Sequence, residues 1–346
     1  MLDNYFKQAA SLGKTADRSA AWLEAHKEIS DDIRRALNGS HELLFAIPIF
    51  GGTGEEFTTI HPWHHVFFEA EQDINSGILL LLTGFYKDSF RSIRSFIELQ
   101  VFALYHFVNE DRDNFKNWLD GKANTPTISE MLKALPAKNI EFKTLNDKLQ
   151  WNIEIQSLYK ELSGFMHTQG ATHTHTALRN SNVTEFSEVG LKVGLDFLLK
   201  ALRLTAMGFV VNFPMSFHPL PLFDKFAFGF PAGGFLEKDQ VDRIKDIFTN
   251  NTYEVLSTIC LANSHANSLT EGIMSMPDLT EREVLQSLER TLESEEFANI
   301  RKEIRTMIKD GEFSKAVAYI QATQRAMMRT MTMVLYNPFY ESSGRK

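Results

Sequence analysis

Residues 65–109, HVFFEAEQDINSGILLLLTGFYKDSFRSIRSFIELQVFALYHFVN, carry the strongest structural pattern of the chain. In the second half of this stretch, apolar residues recur at intervals of three and four, a period that buries one face of an α-helix and that a strand cannot use. The repeating positions are Phe90, Ile93, Ile97, Val101, Leu104 and Val108. Thr83 and Gly84 interrupt the pattern. The stretch therefore predicts a pair of long helices that is broken around Gly84.

Helical periodicity also marks the chain on both sides of this stretch. The further predicted helices are 14–38, which is expected to end at Gly39, 151–166, 187–211, 239–250, 252–266 and 295–309. Thr127 and Glu130 have the spacing of a capping box and predict another helix start, whereas residues 109–126 are expected to be a polar connection. The sequence thus predicts an all-α fold, with a helical-bundle N-terminal lobe and a second, smaller helical lobe.

The segment 212–236 is rich in proline, phenylalanine and glycine and is predicted to connect the lobes. The predicted domains are accordingly a helical bundle with an N-terminal helix over 1–211, the connector over 212–236 and a C-terminal helical domain over 237–346. The uncharged stretch 204–223 is long enough to cross a bilayer at about 1.5 Å per residue. Because its prolines would leave backbone carbonyls without donors in lipid, no membrane segment is expected.

The composition is that of a chain able to bury a core. Of its 346 residues, 43% are hydrophobic and 23% are charged, which excludes an intrinsically disordered chain. The formal net charge of -8 disfavours broad binding to a nucleic-acid backbone. Cys260 is the single cysteine and cannot form an internal disulfide, and the N-terminus has neither a secretory nor a transit pattern. These features predict a cytoplasmic protein, and no motif predicts a cofactor.

The first group of candidate site residues lies on the long helix that contains Phe90. At about 100° per residue, Arg94, Tyr105 and Glu98 border the apolar face of this helix. A charged side chain at such a border needs a partner, because an unpaired desolvated charge is costly. The favoured interpretation is an ion pair between Arg94 and Glu98 that fixes the helix register. The alternative is a functional site.

The second group is Tyr159, Ser163 and His167, which are spaced four apart and form a stripe beside the apolar face of the helix at 151–166. His167 would lie in the last turn, where the helix dipole favours its protonated form. A histidine at this place can act as a general acid or base if it lines a cleft. The favoured interpretation is a histidine that caps backbone carbonyls.

A longer pattern joins both groups. In chain order it consists of Gly84-Phe85-Tyr86, Phe90-Arg91, Arg94, Glu98, Trp118, the capped helix at Met131-Leu132, and Tyr159-Lys160-Glu161-Leu162-Ser163-Gly164-Phe165-Met166-His167. In this order of residues, over about residues 65–210, the chain resembles uncharacterised bacterial proteins related to the helical HEPN (higher eukaryotes and prokaryotes nucleotide-binding) superfamily. The resemblance implies a helical bundle and a role in antiviral or stress defence.

The resemblance also bears on activity. In active members of the superfamily, an arginine and a histidine with four to six residues between them support metal-independent RNA cleavage across a dimer interface. Here Lys160, Glu161 and Leu162 occupy the positions of that arginine. The chain is therefore expected to be a HEPN-like binding or scaffold protein without a complete nuclease motif. The alternative is a ribonuclease in which His167 shuttles the ribose hydroxyl proton and Arg94 or Arg91 stabilises the phosphate charge.

A third hypothesis rests on the histidines. His61, His64 and His65 form one knot, and His167, His173 and His175 form another. Three imidazoles can hold a metal ion with an open position, so a metal-dependent hydrolase is an alternative, although the identity of a metal ligand set stays unknown. Neither spacing matches an established signature, and solvated loop histidines are the favoured interpretation.

The expected partners are a second copy of the chain or another protein, with RNA as an alternative. The chain contains 28 phenylalanines. Those set among glycines, namely Phe226, Phe228, Phe230 and Phe235, are predicted to pack between the lobes or to form a contact surface.

Overall fold

The computed structural model describes residues 2–46, 50–51, 59–60, 63–109, 112–180, 184–227, 234–280, 282–284, 286–287, 298–312, 315–316 and 319. The helices are α1 Leu2–Ala25, α2 Lys27–Leu43, α3 Trp63–Leu82, α4 Tyr86–Asn109, α5 Arg112–Leu119, α6 Ile128–Lys138, α7 Ile140–Leu149, α8 Trp151–Met166, α9 Glu188–Asn212, α10 Leu222–Phe226, α11 Lys238–Lys245, α12 Asn250–Leu261, α13 Ser264–Met274 and α14 Ala298–Lys309. The short strands β1 Phe50–Gly51 and β2 Thr59–Ile60 pair antiparallel. The predicted all-α class is confirmed.

The predicted break between the long helices is confirmed at Gly84, which separates α3 from α4. Gly84 has a φ of 89°, in the left-handed region that favours glycine. A Cβ at this position would lie 3.0 Å from the carbonyl oxygen of Glu185. The Asn180 side-chain amide donates a 3.0 Å hydrogen bond to the carbonyl of Gly84. The break is thus fixed by a residue with no side chain and by a contact from a distant loop.

Helix α4 packs against α3, α6, α8 and α9. Its apolar stripe is buried from Phe90 to Leu104, as the periodicity predicts, and Val108 at its end is half-buried. The Phe90 ring meets the Phe165 ring of α8 edge-on at a centroid distance of 4.9 Å, and the Phe197 ring of α9 at 5.1 Å. Burial of such large aromatic side chains is the main stabilising contribution in a core. Helices α4 and α8 therefore lie side by side, each presenting its predicted apolar face.

Helices α8 and α9 approach each other closely at Trp151. This indole is fully buried, and its Nε1 donates a 2.7 Å hydrogen bond to the carbonyl of Leu204. Gly208, one turn later on α9, leaves room for the ring, because a Cβ there would lie 2.6 Å from Cζ2 of Trp151. The tryptophan therefore buries its apolar surface without leaving its N–H unpaired.

Two parts of the prediction for residues 14–38 are wrong, namely that they form a single helix and that this helix ends at Gly39. The chain breaks at His26, where φ is -115° and ψ is 60°, so that α1 and α2 are separate helices. Gly39 does not end α2, which continues to Leu43. A Cβ on Gly39 would lie 2.5 Å from the carbonyl oxygen of Arg243. The glycine is there because α11 packs directly against the backbone of α2.

Other helices differ in detail from the prediction. Residues 109–126, predicted to be a polar connection, contain α5, and α7 has no counterpart among the predicted helices. The helices predicted over 239–250 and 252–266 end earlier than expected, at Lys245 and Leu261. Helices α8 and α9 and the capping box of Thr127 and Glu130 are confirmed. The differences are thus of two kinds: short helices that the sequence pattern did not predict, and predicted helices that end early.

The chain divides into two compact units. The first consists of residues 1–220 and 232–274, and the second of residues 221–231 and 275–346. Helices α11 to α13 belong to the first unit; Arg243 of α11, for example, donates a 2.8 Å hydrogen bond from Nε to Oε1 of the buried Glu42. The boundaries of these units differ from those of the predicted domains, 1–211, 212–236 and 237–346. Which segments fold on their own stays a prediction. Among the helices described, none combines the length and apolarity needed to span a membrane.

Glycine-to-alanine substitutions test the close approach of α8 and α9. Gly208→Ala forces a methyl group into the Trp151 ring and is expected to lower the free energy of unfolding by about 1–3 kcal/mol. Gly13→Ala is the matched control, because it lies exposed in α1 with no atom within 4 Å of the added Cβ. It is expected to raise stability by about 0.5–1 kcal/mol. Chemical denaturation measures both, and equal effects would contradict the packing described.

His218 predicts a pH dependence of stability. Its imidazole is buried, and burial lowers its pKa, although a backbone hydrogen bond with Cys260 partly opposes the shift. The unfolded chain therefore binds this proton more tightly, so the contribution is complete above the unfolded pKa of about 6.5 and is lost as the pH falls towards the lower folded pKa. His218→Phe is expected to flatten the dependence of unfolding free energy on pH in this window. An unchanged slope in denaturant titrations would refute it.

Candidate functional site

The candidate residues predicted on α4 and α8 meet at the interface of these helices. We call Arg94, Glu98, Tyr159 and Ser163 the Arg94 cluster. Arg94 and Glu98 lie one turn apart on α4, and Tyr159 and Ser163 lie one turn apart on α8. The aromatic contact between the two helices sets their separation. The predicted polar edges therefore face each other.

The Arg94 guanidinium is held from several directions by α8. Its Nε donates a 3.0 Å hydrogen bond to Oγ of Ser163, and its Nη1 lies 3.4 Å from Sδ of Met166. Its Nη2 donates to the hydroxyl of Tyr159. The guanidinium carbon also lies 4.4 Å from the centroid of the Tyr159 ring, within range of a cation–π interaction. Each of the three guanidinium nitrogens thus has a contact on α8.

Glu98 neutralises this arginine from its own helix. Its Oε2 lies 3.6 Å from Nη2 of Arg94 and accepts a 3.3 Å hydrogen bond from the Tyr159 hydroxyl. The side chains of Arg94 and Glu98 are 21% and 30% exposed, so the pair is only partly screened by water. The predicted i, i+4 ion pair is therefore present, and Tyr159 links its members.

Tyr159 and Ser163 complete a network in which each group has a defined role. Burial raises the pKa of Tyr159, and the negative charge of Glu98 raises it further against the opposing charge of Arg94. The phenol therefore stays protonated and donates to Glu98 while it accepts from Arg94. Ser163 donates a 2.7 Å hydrogen bond from Oγ to the carbonyl of Tyr159 and accepts from Arg94.

His167, predicted on the same stripe as Tyr159 and Ser163, stands outside this network. It directly follows the last residue of α8 and is exposed, and its backbone N–H donates a 3.0 Å hydrogen bond to the carbonyl of Ser163. In the described part of the chain its imidazole takes part in no hydrogen bond or ion pair. Its neighbour Met166 contacts Arg94 instead. The catalytic role assigned to these residues stays a prediction.

Arg91, the other arginine considered for the site, lies on the surface of α4. Its Nη1 is 3.4 Å from Oδ1 of Asp88, and its side chain is 62% exposed. Neighbouring Lys87 donates a 2.9 Å hydrogen bond from Nζ to Oγ1 of Thr168, which ties the start of α4 to the end of α8. Arg94, rather than Arg91, is therefore the arginine that contacts α8.

The histidines of the second knot, His167, His173 and His175, have different surroundings. The His173 ring packs against α8, where a Cβ on Gly164 would lie 2.6 Å from it, and its Nδ1 is 2.8 Å from the carbonyl oxygen of Gln169. His175 is exposed, and desolvation together with the charge of Lys87 lowers its pKa. Sequence reasoning misses the packing of His173 on Gly164, although a glycine inside a predicted helix is a signal of a close contact.

The other predicted groups are only partly described. His61, Gly52 to Gly54, Phe228 and Phe230 lie outside the described residues, as do the side chains of His64 and His65. Among the residues that are described, no group of three or more His, Cys, Asp or Glu side chains is placed to hold a metal ion. His167, His173 and His175 thus form no such group. Buried Cys260 has a pKa raised by desolvation, as expected of an inert thiol.

Comparison with protein-family models, with curated proteins and with solved structures finds no match to this chain.

The contacts of the Arg94 cluster predict that Arg94 and Arg91, on the same helix, contribute differently to the free energy of unfolding. Arg94→Ala removes the charge that offsets Glu98 and the N–H donors to Tyr159 and Ser163 at a partly buried interface, and we expect it to lower the free energy of unfolding by about 2–3 kcal/mol. Arg91→Ala removes only an exposed ion pair and should change it by about 0.5 kcal/mol or less. Urea denaturation of both variants measures the difference. Similar effects of the two substitutions would contradict the assignment.

Proposed function

We propose that the chain is a HEPN-like helical binding or scaffold protein in which the Arg94 cluster stabilises the bundle and does not cleave RNA. The observation that supports this proposal is the network that engages all three guanidinium nitrogens of Arg94. An arginine that stabilises charge on a phosphate in the transition state must direct free N–H groups at that phosphate. Here Ser163, Met166 and Tyr159 each contact one guanidinium nitrogen, and Glu98 offsets its charge.

The surroundings of His167 support the same proposal. A catalytic histidine is usually oriented by a second group that fixes its tautomer and its ring plane. Within the described residues, the His167 imidazole has no such group. At the positions that hold an arginine in active HEPN-like proteins, Lys160 and Glu161 are exposed and Leu162 is fully buried in the core. A ribonuclease would have to assemble its site from groups that are already engaged or unoriented.

The proposed partner is another protein or a second copy of the chain. The formal net charge of -8 opposes general binding of an RNA backbone, because such binding gains its free energy from the release of counterions by clustered cations. The proposed role in bacterial defence rests on the family resemblance alone. Binding to RNA remains the alternative that a direct assay distinguishes.

One observation favours the ribonuclease as a second candidate. His167 is exposed and directly follows Met166, whose sulfur contacts Arg94. The imidazole and the guanidinium are therefore attached to the same end of the α4–α8 pair. If the Arg94 network opened, His167 would accept the ribose hydroxyl proton while Arg94 faced the phosphate.

Incubation with single-stranded RNA and a metal chelator separates the candidates. If the chain is the binding protein proposed here, the unaltered protein should leave the RNA intact. The variants His167→Ala and Arg94→Lys should also leave it intact. Arg94→Lys is the informative arginine variant because it keeps the charge and loses the planar fork. Cleavage by the unaltered protein that falls about 100-fold in His167→Ala would overturn the proposal and establish the ribonuclease.

A further inference from the structure

A cavity of about 240 Å³ lies among α2, α3, α4 and α9, away from the Arg94 cluster. Its walls are mostly apolar and include Leu43, Ile74, Phe96, Leu202 and Phe209, all of them buried. No member of the Arg94 cluster lines it, and neither does His167. The cavity is therefore a separate feature of the first unit, independent of the proposed function.

The polar groups of the cavity point to a ligand with a hydrogen-bonding group. Gln100 lines the cavity, and its carboxamide, which makes no hydrogen bond in the described part of the chain and is not fully enclosed, is available to a molecule bound there. Oγ of Ser40, also in the lining, is fully buried with no partner among the described residues. A buried amide or hydroxyl without a partner costs free energy, and a ligand that pairs with it recovers that cost. These groups can both donate and accept hydrogen bonds.

The charges of the cavity exclude an anionic ligand. Glu71 lines it and is held by Nδ1 of His41, 3.1 Å from its Oε1. The described lining contains neither lysine nor arginine. A carboxylate or phosphate would enter without a cation to balance it and would face the charge of Glu71, which is unfavourable in an apolar site. Glu71 is already engaged by His41, so a cationic ligand would find no free carboxylate in the described lining, and an uncharged ligand fits the cavity best.

The volume limits the size of the ligand. An apolar cavity of about 150 Å³ accommodates benzene, so one of 240 Å³ accommodates a ring with a short chain. We propose that this cavity is a binding site for a small, uncharged, largely apolar molecule of about ten non-hydrogen atoms whose single hydroxyl group pairs with Gln100. Ser40 lies in the same lining and offers a second partner for that group.

Three probes of similar size test the proposal: hydrocinnamyl alcohol, propylbenzene and hydrocinnamate. They share the phenyl ring and the three-carbon chain and differ in the end group. Titration of the full-length protein, followed by ligand-observed NMR and calorimetry, should show that the alcohol binds, with a Kd at least about tenfold lower than that of the carboxylate. Absence of alcohol binding up to about 1 mM would overturn the proposal, because the cavity then holds only water.

Substitutions in the cavity lining test whether the probes bind in this cavity. Gln100→Leu should raise the Kd of hydrocinnamyl alcohol about tenfold and lower that of propylbenzene, since the amide is replaced by an apolar group of similar size. Gln156→Leu, on the exposed face of α8, is the matched control and should change neither value. Ala206→Leu places extra carbons in the lining from α9 and should abolish binding of both probes. If Ala206→Leu fails to fold, Gln100→Leu decides alone, and unchanged affinities in it would refute the site.

Discussion

One partly buried guanidinium organises the packing of α4 against α8. Arg94 lies beside the apolar stripe of α4, at the border of the buried face. Its positive charge needs a partner there, because an unpaired desolvated charge is costly. Glu98 supplies the opposite charge from α4, and Tyr159, Ser163 and Met166 supply the remaining contacts from α8. Because these contacts have fixed directions, they set the register of α4 against α8, which area burial alone does not.

The same network determines what the site can do. A guanidinium surrounded by acceptors and offset by a carboxylate is a good structural link and a poor electrophile for a phosphate. Tyr159, with its raised pKa, is a hydrogen-bond donor at neutral pH and not a base. The polar residues between α4 and α8 thus satisfy each other, which is why binding or scaffolding is the function that we propose.

Much of this arrangement follows from the sequence, because periodicity and spacing are local properties. The recurrence of Phe90, Ile93 and Ile97 predicts α4, and the spacing of Arg94 and Glu98 predicts their ion pair.

Tertiary contacts could not be predicted in this way. Gly39 has the appearance of a helix stop, yet it permits α11 to pack on α2, and the helix break at His26 occurs without glycine or proline. The stripe of Tyr159, Ser163 and His167 predicts a shared face, but only the packing shows that His167 extends into solvent. The cavity around Gln100 has no signature in sequence at all, because its lining comes from helices far apart in the chain.

A double-mutant cycle between α4 and α8 measures whether Arg94 joins the two helices. Arg94→Met and Tyr159→Leu each keep an apolar side chain of similar length, and the free energies of unfolding of both single variants and the double variant give their coupling. We expect a favourable coupling of about 1–2 kcal/mol, as for residues in one hydrogen-bonded network. Additive effects, with a coupling of about 0.3 kcal/mol or less, would show that Arg94 does not link α4 to α8.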